Sequence, residues 1–186
     1  MSTGDLIEAC RLFVSERSES GKRAQALVAA VFDLALEEVR SDRVFSPSRK
    51  EPGDVRAYRE DELVIAAEVR DKAVTHWDAM AFAASLEAKS ASAGVIVVLD
   101  ESAHGGLDRK LVLLEAERDY GVTLTVIEGV FELVSEAITW SGAPAAELLE
   151  ALPSRALVRL EEIEVEDESL VRWAELTASD ELRPSF

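Results

Sequence analysis

The 186-residue sequence predicts an α/β fold, a central mixed β-sheet with helices on both faces. Three observations predict it. The run Gly94-Val95-Ile96-Val97-Val98-Leu99 is continuously apolar and bounded by Asp100, the pattern of a strand buried on both faces. Helical segments separate this strand from the ones before and after it, which requires parallel crossovers. The stretch from Pro52 to Lys72 reads as one tight hairpin, which adds an antiparallel pair.

In chain order, Leu6, Ile7, Cys10 and Phe13 share one side of a helix over Asp5–Glu16, broken by Ser18-Glu19-Ser20-Gly21. Lys22–Glu38 forms a longer helix, whose broad face of Ala26, Leu27, Ala30, Val31, Leu34 and Ala35 predicts deep burial. A short strand falls within Val39–Phe45, and a Pro- and Ser-containing loop leads to the hairpin. Its strands are Pro52–Tyr58 and Leu63–Lys72, joined by a polar turn at Arg59–Glu62. Thr75 is a good N-cap, with Asp78 three residues on, for a helix that runs to about Ala91. After the Gly94–Leu99 strand and a loop to Gly106, Leu107–Tyr120 is a helix closed by Gly121. Val122–Ile127 is the next strand. Phe131–Trp140 and Ala145–Leu152 follow as helices, divided at Gly142 and Pro144, and a last helix covers about Asp167–Ala178. The whole reads as a single domain over residues 1–186.

The composition is 48% hydrophobic and 31% charged, that of a globular chain, and no apolar run approaches the roughly 20 residues that span a bilayer. Cys10 is the only cysteine, so an intrachain disulfide is excluded. That feature and an acidic N-terminus without a signal-peptide pattern predict a cytoplasmic protein. The formal charge is −17, awkward for a nucleic-acid binder, but it is uneven. Residues 1–75 hold 12 Lys and Arg against 15 Asp and Glu, whereas residues 76–186 hold 8 against 22. Arg40, Arg43, Arg49, Lys50, Arg56 and Arg59 cluster around the hairpin.

The chemistry concentrates in that hairpin. Asp54 and Glu68 are expected to face each other across it. Alternation along the second strand sets Glu68, Arg70 and Lys72 on one face, with Val69 and Asp71 on the other. An apolar strand ending in Glu-x-Arg-x-Lys beside an Asp is costly to bury for structure alone and suits a divalent metal and a phosphate. His104 stands in a Gly-rich loop without a second ligand at zinc spacing. Gly105-Gly106 is not a P-loop, and there is no Gly-x-Ser-x-Gly elbow.

A helix, then a hairpin bearing Pro52-Gly53-Asp54, then Glu68-x-basic, a helix and a parallel strand resembles the PD-(D/E)XK nuclease superfamily. More narrowly, Pro52-Gly53-Asp54-Val55 with Glu68-Val69-Arg70-Asp71-Lys72 and a helix from Thr75 is similar to the SacI-type restriction endonucleases, as is the helix Gly21–Val28. The resemblance covers about residues 20 to 130, leaving residues 131–186 as an acidic helical extension. It implies a restriction-endonuclease-like three-layer sandwich and a type II endodeoxyribonuclease acting on double-stranded DNA. It further implies Mg²⁺ held by Asp54, Glu68 and the carbonyl of Val69, with Arg70 at the position where the superfamily carries lysine. Arginine stays protonated, so Arg70 suits a phosphate clamp rather than a base, and Lys72 becomes the alternative for the lysine role. Gln25, Arg49, Lys50, Arg56 and His76 are further candidates for contact with the site or with DNA. A homodimer matches a palindromic target. The alternative is a catalytically weak or inactive nuclease-fold subunit, acting as a protein-interaction module in a larger DNA-defence complex.

Overall fold

The computed structural model describes residues 2–41, 51–70, 72–100 and 106–178. Its elements are α1 (Thr3–Glu16), α2 (Lys22–Ala35), β1 (Val39–Ser41), β2 (Val55–Arg59), β3 (Glu62–Arg70), α3 (His76–Glu87), β4 (Ala93–Val98), α4 (Arg109–Tyr120), β5 (Thr123–Glu128), α5 (Val130–Ser141), α6 (Ala145–Glu162) and α7 (Asp167–Thr177). The strands stand in chain order in one mixed sheet. β2 is antiparallel to β1 and β3, and β4 is parallel to β3 and β5.

Side-chain alternation in the sheet divides the core into two layers. Val55, Ala67, Val95, Val97 and Ile127 pack beneath α1, α2, α5, α6 and α7. Ala66, Ile96, Val98, Leu124 and Val126 pack beneath α3 and α4. This is the expected restriction-endonuclease-like sandwich. The close approach of α3 to the sheet depends on Gly94, where a Cβ would lie 2.3 Å from Leu86 Cδ1. On the other face α2 is the central helix, buried continuously from Arg23 to Phe32. Arg23 is buried because its guanidinium is fully engaged. It donates to Phe13 O at 2.8 Å and to Ser169 Oγ at 2.7 Å, pairs with Glu19 at 3.2 Å, and lies 4.4 Å over the Phe13 ring. One cation thereby ties α1, α2 and α7 together.

Several boundaries differ from the sequence reading, and three of them bear on the site or the core. α2 ends at Ala35 rather than Glu38, because Leu36 is extended and Glu38 takes a left-handed φ of 42° to turn into β1. β3 ends at Arg70, so Lys72 lies beyond the strand instead of on its face. α6 continues to Glu162, through Pro153, where the sequence predicted an end at Leu152. The stripe Leu148, Leu152, Ala156 and Leu160 keeps one face of α6 buried across the proline, so packing against the core outweighs the lost backbone bond. Pro153 is also tied across to α7, since Trp173 Nε1 donates to Pro153 O at 2.9 Å. Other expectations match: the Thr75–Asp78 capping box forms, and Gly121 closes α4 in the left-handed region.

Candidate active site

The hairpin is closed by Glu60 and Asp61, both at positive φ, in the two-residue manner that matches strand twist. At its open end Gly53 determines the geometry. Its φ is +71°, and a Cβ there would come 2.7 Å from Ala67 O, so only glycine lets the chains approach this closely. Asp54 N then donates to Ala67 O at 2.7 Å. Val55 pairs with Ala67, and continuing that register sets Asp54 opposite Glu68.

Asp54 is 6% exposed, and its Oδ2 accepts from Val69 N at 2.8 Å. The Glu68 side chain is nearly as buried, at 12% exposed, and pairs with Arg70 at 3.0 Å. Asp54, Glu68, Val69 and Arg70 thus meet at the carboxyl end of β3, where Arg70 stands opposite Val98 of the parallel β4. Open α/β sheets hold their ligand sites outside such carboxyl ends. Arg70 and Asp100 also line a cavity of about 60 Å³ with Val14, Ser18 and Ala24. Asp100 is a site neighbour that sequence reasoning treated only as a strand boundary, although an acid directly after a buried strand marks this same edge. Larger cavities of about 640 and 520 Å³ lie at the hairpin turn and between α1, α6 and α7. Neither is lined by Asp54 or Glu68, so chemistry rather than volume locates the site.

The other candidates are scattered around this centre. Lys72 is exposed, and its charge reaches Asp78 together with that of Arg70. Hydrogen bonds from the Thr75 hydroxyl and N–H hold the Asp78 carboxyl below its ordinary value; burial opposes the shift, and the two cations add to it. Gln25 is 3% exposed and approaches from α2, donating to the backbone oxygen of Asp54 at 3.4 Å. Arg56 corrects an expectation. It is 4% exposed and donates to Gly53 O at 3.2 Å, so it holds the hairpin from within instead of presenting its charge to a groove. Alternation explains this, since Arg56 pairs with Ala66 on the face that α3 covers. His76 Nε2 lies 2.8 Å from Glu115 Oε2 of α4, with about half of its side chain exposed. Arg49 and Lys50 fall outside the described residues, as do Arg43, Asp71 and His104.

Among the described residues, no group of three or more His, Cys, Asp or Glu side chains could hold a metal ion. Asp54, Glu68 and the Val69 carbonyl are a smaller set, two carboxylates and one backbone oxygen. Hard oxygen donors of this kind fit Mg²⁺, which keeps several waters and needs no complete protein cage. No helix of the described residues is long and apolar enough to cross a membrane.

Comparison with known proteins bears on the same residues. Residues 1–99 match the family model of the SacI restriction endonuclease C-terminal domain, a span that contains Asp54, Glu68, Val69 and Arg70. The chain is 32% identical over 172 residues to the Type II restriction enzyme SacI of Streptomyces achromogenes. That alignment covers 92% of this chain and 48% of SacI, so the chain spans about half the length of this relative. A mixed-sheet sandwich carrying an Asp–Glu pair at its hairpin, together with these two matches, assigns the chain to the SacI restriction endonuclease C-terminal domain family.

Proposed function

We propose that the chain is a Mg²⁺-dependent endodeoxyribonuclease of type II restriction kind, hydrolysing phosphodiester bonds of double-stranded DNA. The observation that carries this reading is the cross-strand register of Asp54 and Glu68, locked by the Asp54 N to Ala67 O and Val69 N to Asp54 Oδ2 bonds. Asp54, Glu68 and the Val69 carbonyl would hold the metal, which would supply activation of a water and neutralisation of charge on the leaving 3′ oxygen. Arg70 orients the scissile phosphate by its planar fork, exchanging its Glu68 partner for phosphate oxygens as substrate arrives. Gln25 braces Asp54 through its backbone, and Lys72 supplies a further cation at the site's edge. One metal site cuts one strand, so a homodimer is the natural cleaving assembly.

The charge distribution favours a second reading. Most of the −17 lies in residues 76–186, and such a surface repels DNA unless a partner subunit supplies contact. In that case the chain is a weakly active or inactive subunit that binds protein within a DNA-defence complex. The test is incubation of supercoiled plasmid with the full chain and Mg²⁺, comparing wild type with Asp54→Asn and Glu68→Gln. Nicking by wild type and its loss in both variants, with melting temperatures retained, supports catalysis. Equal nicking by all three marks a contaminant and sinks it. Plasmid left intact by wild type alone, but cut once a second subunit is added, favours the subunit reading.

A further inference from the structure

Arg70 is held by one of the two carboxylates that would take the metal, its guanidinium lying 3.0 Å from Glu68 Oε1. A carboxylate that ligates Mg²⁺ no longer neutralises a neighbouring guanidinium, and two cations drawn to one carboxylate repel each other. An arginine that meets the scissile phosphate beside the metal therefore needs a second anchor, away from the metal ligands.

Two further acids stand near it. Asp78 feels the charge of Arg70, but its carboxylate is committed to the Thr75 cap, accepting from the hydroxyl at 2.6 Å and from the N–H at 3.0 Å. Asp100 is the other. It follows the buried Leu99 at the carboxyl end of β4, which runs parallel to β3 with Val98 opposite Arg70. Arg70 and Asp100 line the same cavity of about 60 Å³ at this edge. Its remaining walls are Val14 of α1, Ser18 of the α1–α2 turn and Ala24 of α2, with Val14 and Ala24 buried. Apolar walls reduce screening, which strengthens the attraction between opposite charges bordering one space. One water needs about 10–15 Å³, so the cavity has room for a water bridge or for a swing of the guanidinium. Among the described residues no three acids, His or Cys are grouped to hold a metal, so Asp100 does not join Asp54 and Glu68 as a third ligand. It stands to Arg70 as a counter-charge.

We propose that Asp100 is a positioning residue for the reaction, holding Arg70 across this cavity, directly or through one water, when Glu68 turns to the metal. The inference rests on the nuclease reading above and adds the group that keeps the phosphate clamp aimed. A carboxylate at this edge repels DNA rather than attracting it, so its benefit falls on the aim of Arg70 and not on affinity.

The test uses the full chain and Asp100→Asn, which removes the charge at nearly constant volume. Initial rates of nicking of supercoiled plasmid with Mg²⁺ give kcat and KM. The variant is expected to lose roughly tenfold to a hundredfold in kcat, the usual cost of a lost supporting carboxylate, with KM within about twofold of wild type. In an Arg70→Ala background the same substitution should change kcat by less than about twofold, because nothing is left to position. A second readout needs no turnover. The Arg70 Nε–H signal in ¹H–¹⁵N NMR spectra, assigned by its absence from Arg70→Lys, should stay protected from solvent exchange in wild type with Mg²⁺ and exchange faster in Asp100→Asn. Unchanged kcat, an equal loss with Arg70 present and absent, or unchanged Nε–H exchange overturns the role and leaves the nuclease reading standing. No nicking by wild type overturns both. If Asp100→Asn melts below wild type, Asp100→Glu decides: retained kcat supports the role, and a loss as large as that of Asp100→Asn makes Asp100 structural and sinks it.

Discussion

Gly53→Ala probes the feature on which the site depends most directly. Alanine at a φ of +71° costs about 1–2 kcal/mol in backbone conformation alone. Its Cβ would also press on Ala67 O at 2.7 Å, and a backbone carbonyl cannot swing aside as a flexible side chain can. The strand must shift, at the expense of the Asp54 N to Ala67 O bond, whose net contribution is about 0.5–1.5 kcal/mol. The expected destabilisation is therefore about 2–3 kcal/mol, or roughly 4–12 °C in melting temperature for a chain of this size. Gly121→Ala is the matched control, with a φ of +67° and no atom within 4 Å of the added Cβ. It should show the conformational cost only. Urea unfolding of both variants decides the matter, read as midpoints at equal slope. If Gly53→Ala is no less stable than Gly121→Ala, the close approach to Ala67 does not hold Asp54 in register, and this account of the site is wrong.

Two further predictions concern the scaffold. Arg159 on α6 pairs with Asp33 on α2 at 2.6 Å and donates to Val39 O at 2.9 Å, with both side chains of the pair nearly buried. Arg159→Met should destabilise by about 3–5 kcal/mol because it strands the Asp33 carboxylate, and Arg159→Met with Asp33→Leu should recover much of the loss. Chemical denaturation of the two variants would contradict this if the double variant were the weaker. Burial pushes the Cys10 thiol up to about 12. The raised value means that its contribution to stability is complete below the unfolded thiol value, near 8.5, and is lost as pH climbs towards 12. Cys10 should react with a thiol reagent only at the rate of unfolding, and fast labelling of the native chain at neutral pH would refute that burial.

Much of the fold was legible in local pattern. Gly94–Leu99 announced a central strand because both of its faces are covered, and Thr75 with Asp78 announced α3 because the capping box is complete within four residues. The hairpin itself was legible, but its register was not: counting from the Arg59–Glu62 turn sets Asp54 opposite Ala67, and only the register shift between Ala57 and Tyr58 brings Glu68 opposite it. Where the sequence reading failed, long-range packing had decided. Pro153 is a helix breaker by local chemistry, and only the burial of Leu148, Leu152, Ala156 and Leu160 carries α6 through it. Arg56 carries the same charge as the exposed arginines near it, and only the cover of α3 turns it inward. Asp100 comes from an element far from the hairpin in sequence, so its nearness to the site could not be counted from either strand, and Gln25, equally distant, was named as a candidate only beside the family resemblance.

The sequence by itself determined the order of elements, the α/β class and the candidate pair Asp54 and Glu68, because each rests on spacings shorter than about twenty residues. The tertiary structure decided what surrounds that pair. It ends β3 at Arg70, ties Arg70 to Glu68 and brings Gln25 beneath Asp54. Those outcomes depend on which helix lies over which face of the sheet. That is a matter of non-local burial, for which the spacing of residues along the chain carries no rule.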